Sequence, residues 1–132
     1  MKVLVILLSS FFFSFNSSFS QQIEKPVSSQ MISQISQTLQ SGHNELIEFQ
    51  LSTILQLASK YGTESVESLK VPISSISVNS KDSELRYMAF LTMEALNSPY
   101  IMENLPKYPI DKTEAVFGFI QDSLTTYAFN NM

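Results

Sequence analysis

The chain has 132 residues, with 8 Lys+Arg against 12 Asp+Glu and a formal net charge of −4. An acidic chain with scattered single lysines is a poor partner for nucleic acid or anionic lipid. It has no cysteine, so neither disulfides nor a lipidated thiol can support or tether it, and the fold rests on its apolar core alone.

The N-terminus has the three-part layout of an export signal. Lys2 is the positive start, residues 3–15 (VLVILLSSFFFSF) are apolar and uncharged, and Ser18-Phe19-Ser20 supplies the small side chains a signal peptidase requires. Cleavage is expected after Ser20. That leaves Gln21 as the mature N-terminus and a balance of 7 basic against 12 acidic residues once Lys2 is lost. The rival reading, an uncleaved anchor, needs about 20 apolar residues to span a bilayer, and the run stops at a polar Asn16-Ser17-Ser18 cluster. The expected location is therefore periplasmic or secreted, with no membrane span after cleavage. About 110 residues remain, enough for one core.

Residues 21–27 read as a polar leader containing Pro26. A first helix is expected over about Ser28–Gln40, with Met31, Ile32, Ile35 and Leu39 at helical spacing and Gly42 beyond its end. A second runs from Asn44, read as its N-cap, to about Lys60; Leu46, Ile47, Leu51, Ile54, Leu55 and Ala58 form its buried face, and Gly62 stops it. After Thr63, the residues Val66, Leu69, Ile73, Ile76 and Val78 suit a helix, but Pro72 interrupts them. That stretch reads as one kinked helix, as two pieces with Pro72 in the second's first turn, or as partly strand.

A fourth helix is expected over about Ser83–Asn97 with Asp82 as its N-cap. Its main stripe is Leu85, Met88, Ala89, Thr92 and Leu96, and Tyr87, Phe90 and Leu91 broaden it, which implies cover on two sides. The segment from Tyr100 to Pro109 reads as a short turn of helix and a connector. A final helix over about Lys112–Ala128 carries Val116, Phe119, Ile120, Leu124 and Tyr127. The aromatic side chains Tyr100, Tyr108, Phe117, Phe119 and Tyr127 are expected in the core. Most acids fall where helices begin and oppose the helix dipole.

Shifting the chain by 39 positions places Ser41, Glu45, Leu46, Thr53 and Leu57 on Ser80, Glu84, Leu85, Thr92 and Leu96 as identities. Leu39, Phe49, Leu51 and Ile54 fall on the apolar residues Val78, Met88, Phe90 and Met93. Such a period is typical of helix-pair repeats, with units at about residues 28–62 and 63–98 and a C-terminal capping helix at about 112–128. The series Pro72, Asp82, Leu85-Arg86 and Ala89 resembles a HEAT repeat, an armadillo-type pair of antiparallel helices. In the first unit Ser33, His43 and Ile47 stand where the proline, aspartate and arginine would be.

The resemblance implies an all-α fold of about five helices, stacked as antiparallel pairs in a right-handed array. It also implies a structural ion pair between Arg86 and Asp82. The second helix of each pair would line the partner face, with Glu48 and Ser52 on one and Tyr87, Leu91 and Glu94 on the other. Catalytic, cofactor and metal residues are not expected. His43 is the single histidine and reads as an exposed turn residue, His43 and Glu45 are too few ligands for zinc, and three glycines make no phosphate-cradling loop. The sequence thus reads as an exported, non-enzymatic interaction module whose partner is another exported or envelope protein. The alternative is a carrier of a small apolar ligand, suggested by the Met- and Phe-rich C-terminal half.

Overall fold

The computed structural model describes residues 27–105 and 113–130. The expected signal peptide, the polar leader apart from Val27, Tyr108 and most of the proline connector lie outside these residues. All regular structure among the described residues is helical. In chain order it comprises α1 (Ser29–Leu39), α2 (Asn44–Tyr61), a 3-10 segment (Thr63–Leu69), α3 (Lys70–Asn79), α4 (Ser83–Leu96), α5 (Pro99–Asn104) and α6 (Thr113–Asn130). Among these residues no helix is long and apolar enough to cross a membrane.

Each start and stop has a local cause. The Ser28 hydroxyl accepts the Met31 N–H at 3.1 Å and caps α1, which buries Met31, Ile35 and Leu39 at four-residue spacing. Gly62 ends α2 at φ +96, a backbone angle that side chains other than hydrogen rarely adopt. The 3-10 segment breaks at Val66, whose φ of −119 and ψ of 16 leave the helical region. It hands over to α3 at Lys70, so Pro72 falls in the first turn, where a missing N–H costs nothing. Of the three readings of this stretch, two pieces is the one found, and no strand forms. Asp82 caps α4 as expected: one of its carboxylate oxygens accepts the N–H groups of Glu84 and Leu85 at 2.9 and 3.1 Å. Ser98 does not simply end α4; its hydroxyl accepts the Ile101 N–H and starts α5 with Pro99 in the first turn.

The helices pack in three layers. The most extensive contact joins α3 to α4, and α1 packs on α2. The two pairs then meet like to like, α2 on α4 and, more loosely, α1 on α3, while the diagonal contacts are marginal at most. The short α5 and the long α6 lie against both α2 and α4. Helices α2 and α4 therefore form a middle layer. Leu51, Ile54 and Leu55 on α2 and Leu85, Ala89, Thr92 and Ala95 on α4 are almost fully sealed from solvent there. Val116, Phe117 and Ile120 of α6 complete the core from one side, and Val66, Leu69 and Ile73 complete it from the other.

Two local expectations are corrected. Asn44 is the first residue of α2 and not its cap; His43 holds the extended cap position without a side-chain bond. The Asn44 amide instead donates to the second Asp82 oxygen at 3.0 Å, joining the α1–α2 and α3–α4 turns. The Asp82–Arg86 ion pair is not made. Both Asp82 oxygens are engaged by the N–H groups of α4 and by Asn44, and the Arg86 guanidinium donates to the Ser80 carbonyl at 2.6 Å. The ion pair found among the described residues is Glu67–Lys70 at 3.1 Å.

Candidate functional site

The residues expected to form a partner face are separated by the third layer. On α2, Glu48 is half-buried and Ser52 is only 1% exposed; on α4, Leu91 is 2% exposed while Tyr87 remains open and Glu94 half-open. Packing of α5 and α6 against α2 and α4 accounts for this. The face of a bare two-pair stack is here an interior. What stays accessible is the outward side of α4, where Tyr87, Phe90 and Glu94 recur at spacings of three and four. The Tyr87 and Phe90 rings stack with centroids 6.3 Å apart and planes 18° from parallel, and both are about 45% exposed.

This strip runs into a groove of about 790 Å³ formed by the end of α4, by α5 and by the second half of α6. Ile101, Phe119 and Leu124 give it an apolar floor, and Tyr100, Tyr127, Glu94 and Asp122 surround them. Tyr100 and Tyr127 are 68% and 70% exposed, which corrects their expected place in the core; Phe117 is buried and Phe119 half-buried, as expected. The physical reason is face selection on α6. Val116, Phe117 and Ile120 already fill the space against α2 and α4, and Tyr127 comes two turns further on, past the core. On α5, Ile101 and Met102 turn inward and leave Tyr100 on the outer side.

A second groove, of about 600 Å³, opens where the end of α1 stands apart from α3. Leu39, Ile47, Ile76 and Leu85 line its depth, and Val71, at 77% exposure, is the most open of the apolar residues around it. The turn residues Gly42, Asn44, Lys81 and Asp82 close one end.

Electrostatics at the turns are lopsided. Burial pushes the Glu48 carboxyl above its ordinary value, and the charges of Glu84, Asp82 and Glu45 push it further the same way. These acids do not amount to a metal site: among the described residues no three potential ligands are grouped suitably for a metal ion. His43 is exposed at the α2 cap, with its backbone N–H donating to the Ser41 hydroxyl at 3.3 Å. Inside the middle layer, Gln50 Oε1, Ser52 Oγ and Gln56 Nε2 are buried without a hydrogen-bond partner among the described residues. Sequence reasoning missed Gln50, although it sits three residues after Ile47 and four before Ile54, on the stripe that became core.

Comparison with known protein families, with curated proteins and with solved structures gave no match for this chain.

Proposed function

We propose that the chain is an exported, non-enzymatic helical module that docks a partner protein on the outward side of α4 and the adjoining α4–α5–α6 groove. One observation carries this reading: Tyr87, Phe90, Tyr100 and Tyr127 are all held in solvent on neighbouring helices. Exposing large aromatic rings forfeits burial that the fold could use, and such rings are enriched at the centres of protein interfaces. Export rests on the sequence of residues 1–20. A HEAT-like stack of antiparallel pairs is supported by the like-to-like packing of α1–α2 on α3–α4, with α5 and α6 covering the second helices instead of extending the array.

Native mass spectrometry of the chain recovered from the exported fraction of its host tests the reading. A reproducible protein-sized adduct is expected, and it should be lost when Tyr87→Glu and Phe90→Glu are combined. A bare chain, or an adduct indifferent to that double variant, would refute it.

The α1–α3 groove favours a second reading, a carrier of a small apolar ligand. Its volume lies within the range of ligand pockets and its depth is apolar. An adduct of a few hundred daltons removed by Ile76→Glu would put this reading first.

A further inference from the structure

We propose that the outward side of α4 pairs with the same side of a second copy of this chain, antiparallel and about a two-fold axis at Phe90, with Arg86 of each copy opposite Glu94 of the other. The proposal rests on the reading of this surface as the docking face and names the partner. Arg86 lies four residues before Phe90 and Glu94 four residues after it, while Tyr87 and Met93 lie three before and three after. At these spacings all five side chains share one side of the helix. Phe90 and Tyr87 are its open, stacked rings, and Arg86, Met93 and Glu94 are half-buried beside them. The Arg86 guanidinium donates to the Ser80 carbonyl at 2.6 Å. That acceptor is neutral, so the bond fixes the side chain without cancelling its charge.

The order of these residues selects the occupant. Along the helix axis Arg86 and Glu94 stand about 6 Å on either side of Phe90. A two-fold axis at Phe90 reverses the second helix, so each arginine meets a glutamate at the same level and each Tyr87 is level with a Met93. The two Tyr87–Phe90 stacks then join into one aromatic cluster at the centre, ringed by two ion pairs. Parallel pairing would instead set arginine on arginine and glutamate on glutamate, which is repulsive. A wholly apolar partner would cover both charges and leave them unpaired, which is costly. A surface that matches itself under a two-fold rotation is what an isologous dimer requires. The internal repeat points the same way: Phe90 corresponds to Leu51, which is sealed at 0% exposure on a helix packed by its neighbours.

The test is sedimentation equilibrium of the purified protein at concentrations up to about 1 mM, a range suited to the weak affinity of a small interface. A reversible rise from one chain mass to two is expected, and high salt should weaken it several-fold. Phe90→Glu, at an open position, should keep its helical circular dichroism and weaken pairing more than about tenfold. Glu94→Arg should weaken it about tenfold by setting arginine against Arg86. Adding Arg86→Glu to Glu94→Arg should bring the affinity back to within about threefold of the parent, a recovery that a loss of folding would not produce. A single chain mass throughout would overturn the pairing. So would a dimer indifferent to Phe90→Glu, or one weakened by Glu94→Arg and not recovered by the second reversal. If the mass stays single while a different protein is captured from the exported fraction and lost with Tyr87→Glu plus Phe90→Glu, self-pairing fails and the docking face stands. If neither a dimer nor such an adduct is seen, both readings fail together.

Discussion

The α1–α2 and α3–α4 pairs repeat one local plan and yet live in different surroundings. At positions related by the 39-residue shift, Ser41 and Ser80 both accept the N–H two residues on, at 3.3 and 3.2 Å. His43 and Asp82 both hold the extended cap position. Thr53 and Thr92 both donate to the carbonyl one turn back, at 2.9 and 2.8 Å. Burial does not follow the same rule. Leu51 is sealed at 0% exposure, whereas its counterpart Phe90 stands 46% exposed, and half-buried Glu48 corresponds to the open Tyr87. Local conformation follows the nearby residues, because capping and back-bonding reach only a few positions along the chain. Burial follows neighbours in space. Helix α2 is packed by α1, the 3-10 segment, α4, α5 and α6, while among the described residues no further helix covers the outward side of α4.

Truncation at the unequal positions 51 and 90 should show the widest gap. Leu51→Ala is expected to cost about 2–5 kcal/mol, the range for emptying a sealed leucine site. Phe90→Ala should cost well under half as much. Urea unfolding of both variants measures this, and equal losses would mean that the two pairs are equally enclosed. The caps come next. Asp82→Ala should lower stability by about 0.5–2 kcal/mol, since it frees two N–H groups of α4 and the Asn44 amide. His43→Ala at the matching position should change stability by no more than about 0.5 kcal/mol. A thermal scan showing comparable losses would assign His43 a capping role that its side chain does not have here.

Positions 52 and 91 are both buried, one by serine and one by leucine. Ser52→Ala removes a hydroxyl with no partner among the described residues, so stability should stay level or rise by up to about 1 kcal/mol. A clear loss on denaturation would show that the hydroxyl is bonded after all. The smallest effect concerns Glu48 against its counterpart Tyr87. Its carboxyl is raised in the folded state, so folding favours the protonated form. The stability this form provides is complete below the unfolded value of 4.5 and fades as pH rises through the folded one. Glu48→Gln should flatten that decline and raise stability at neutral pH by less than about 0.5 kcal/mol. A pH series of melting temperatures that keeps its slope in the variant would exonerate this residue.

The features shared by the two turns are legible because their signals are local. Apolar residues recur at helical spacing in α1, α2 and α4, glycine stands at position 62 where φ is positive, and an aspartate precedes Ser83. The candidate site was legible only in part. Of the residues expected on a partner face, Tyr87 is open and Glu94 half-open, but Ser52 and Leu91 are buried, and Tyr100 and Tyr127, expected in the core, are exposed. Amphipathic spacing identifies a face that prefers burial; it does not say which of two flanking faces a later helix will cover.

The sequence by itself determined that the described chain is helical, where most of its helices begin and end, and that two of its turns are built alike. These properties depend on hydrogen bonds and side-chain spacings within one or two turns of helix. Only the tertiary structure decided that α5 and α6 close over α2 and α4, that a groove opens beside them, and that four aromatic rings remain in water. Those outcomes depend on packing between segments far apart in the chain, where the available volume settles which apolar side chains are enclosed and which are left outside.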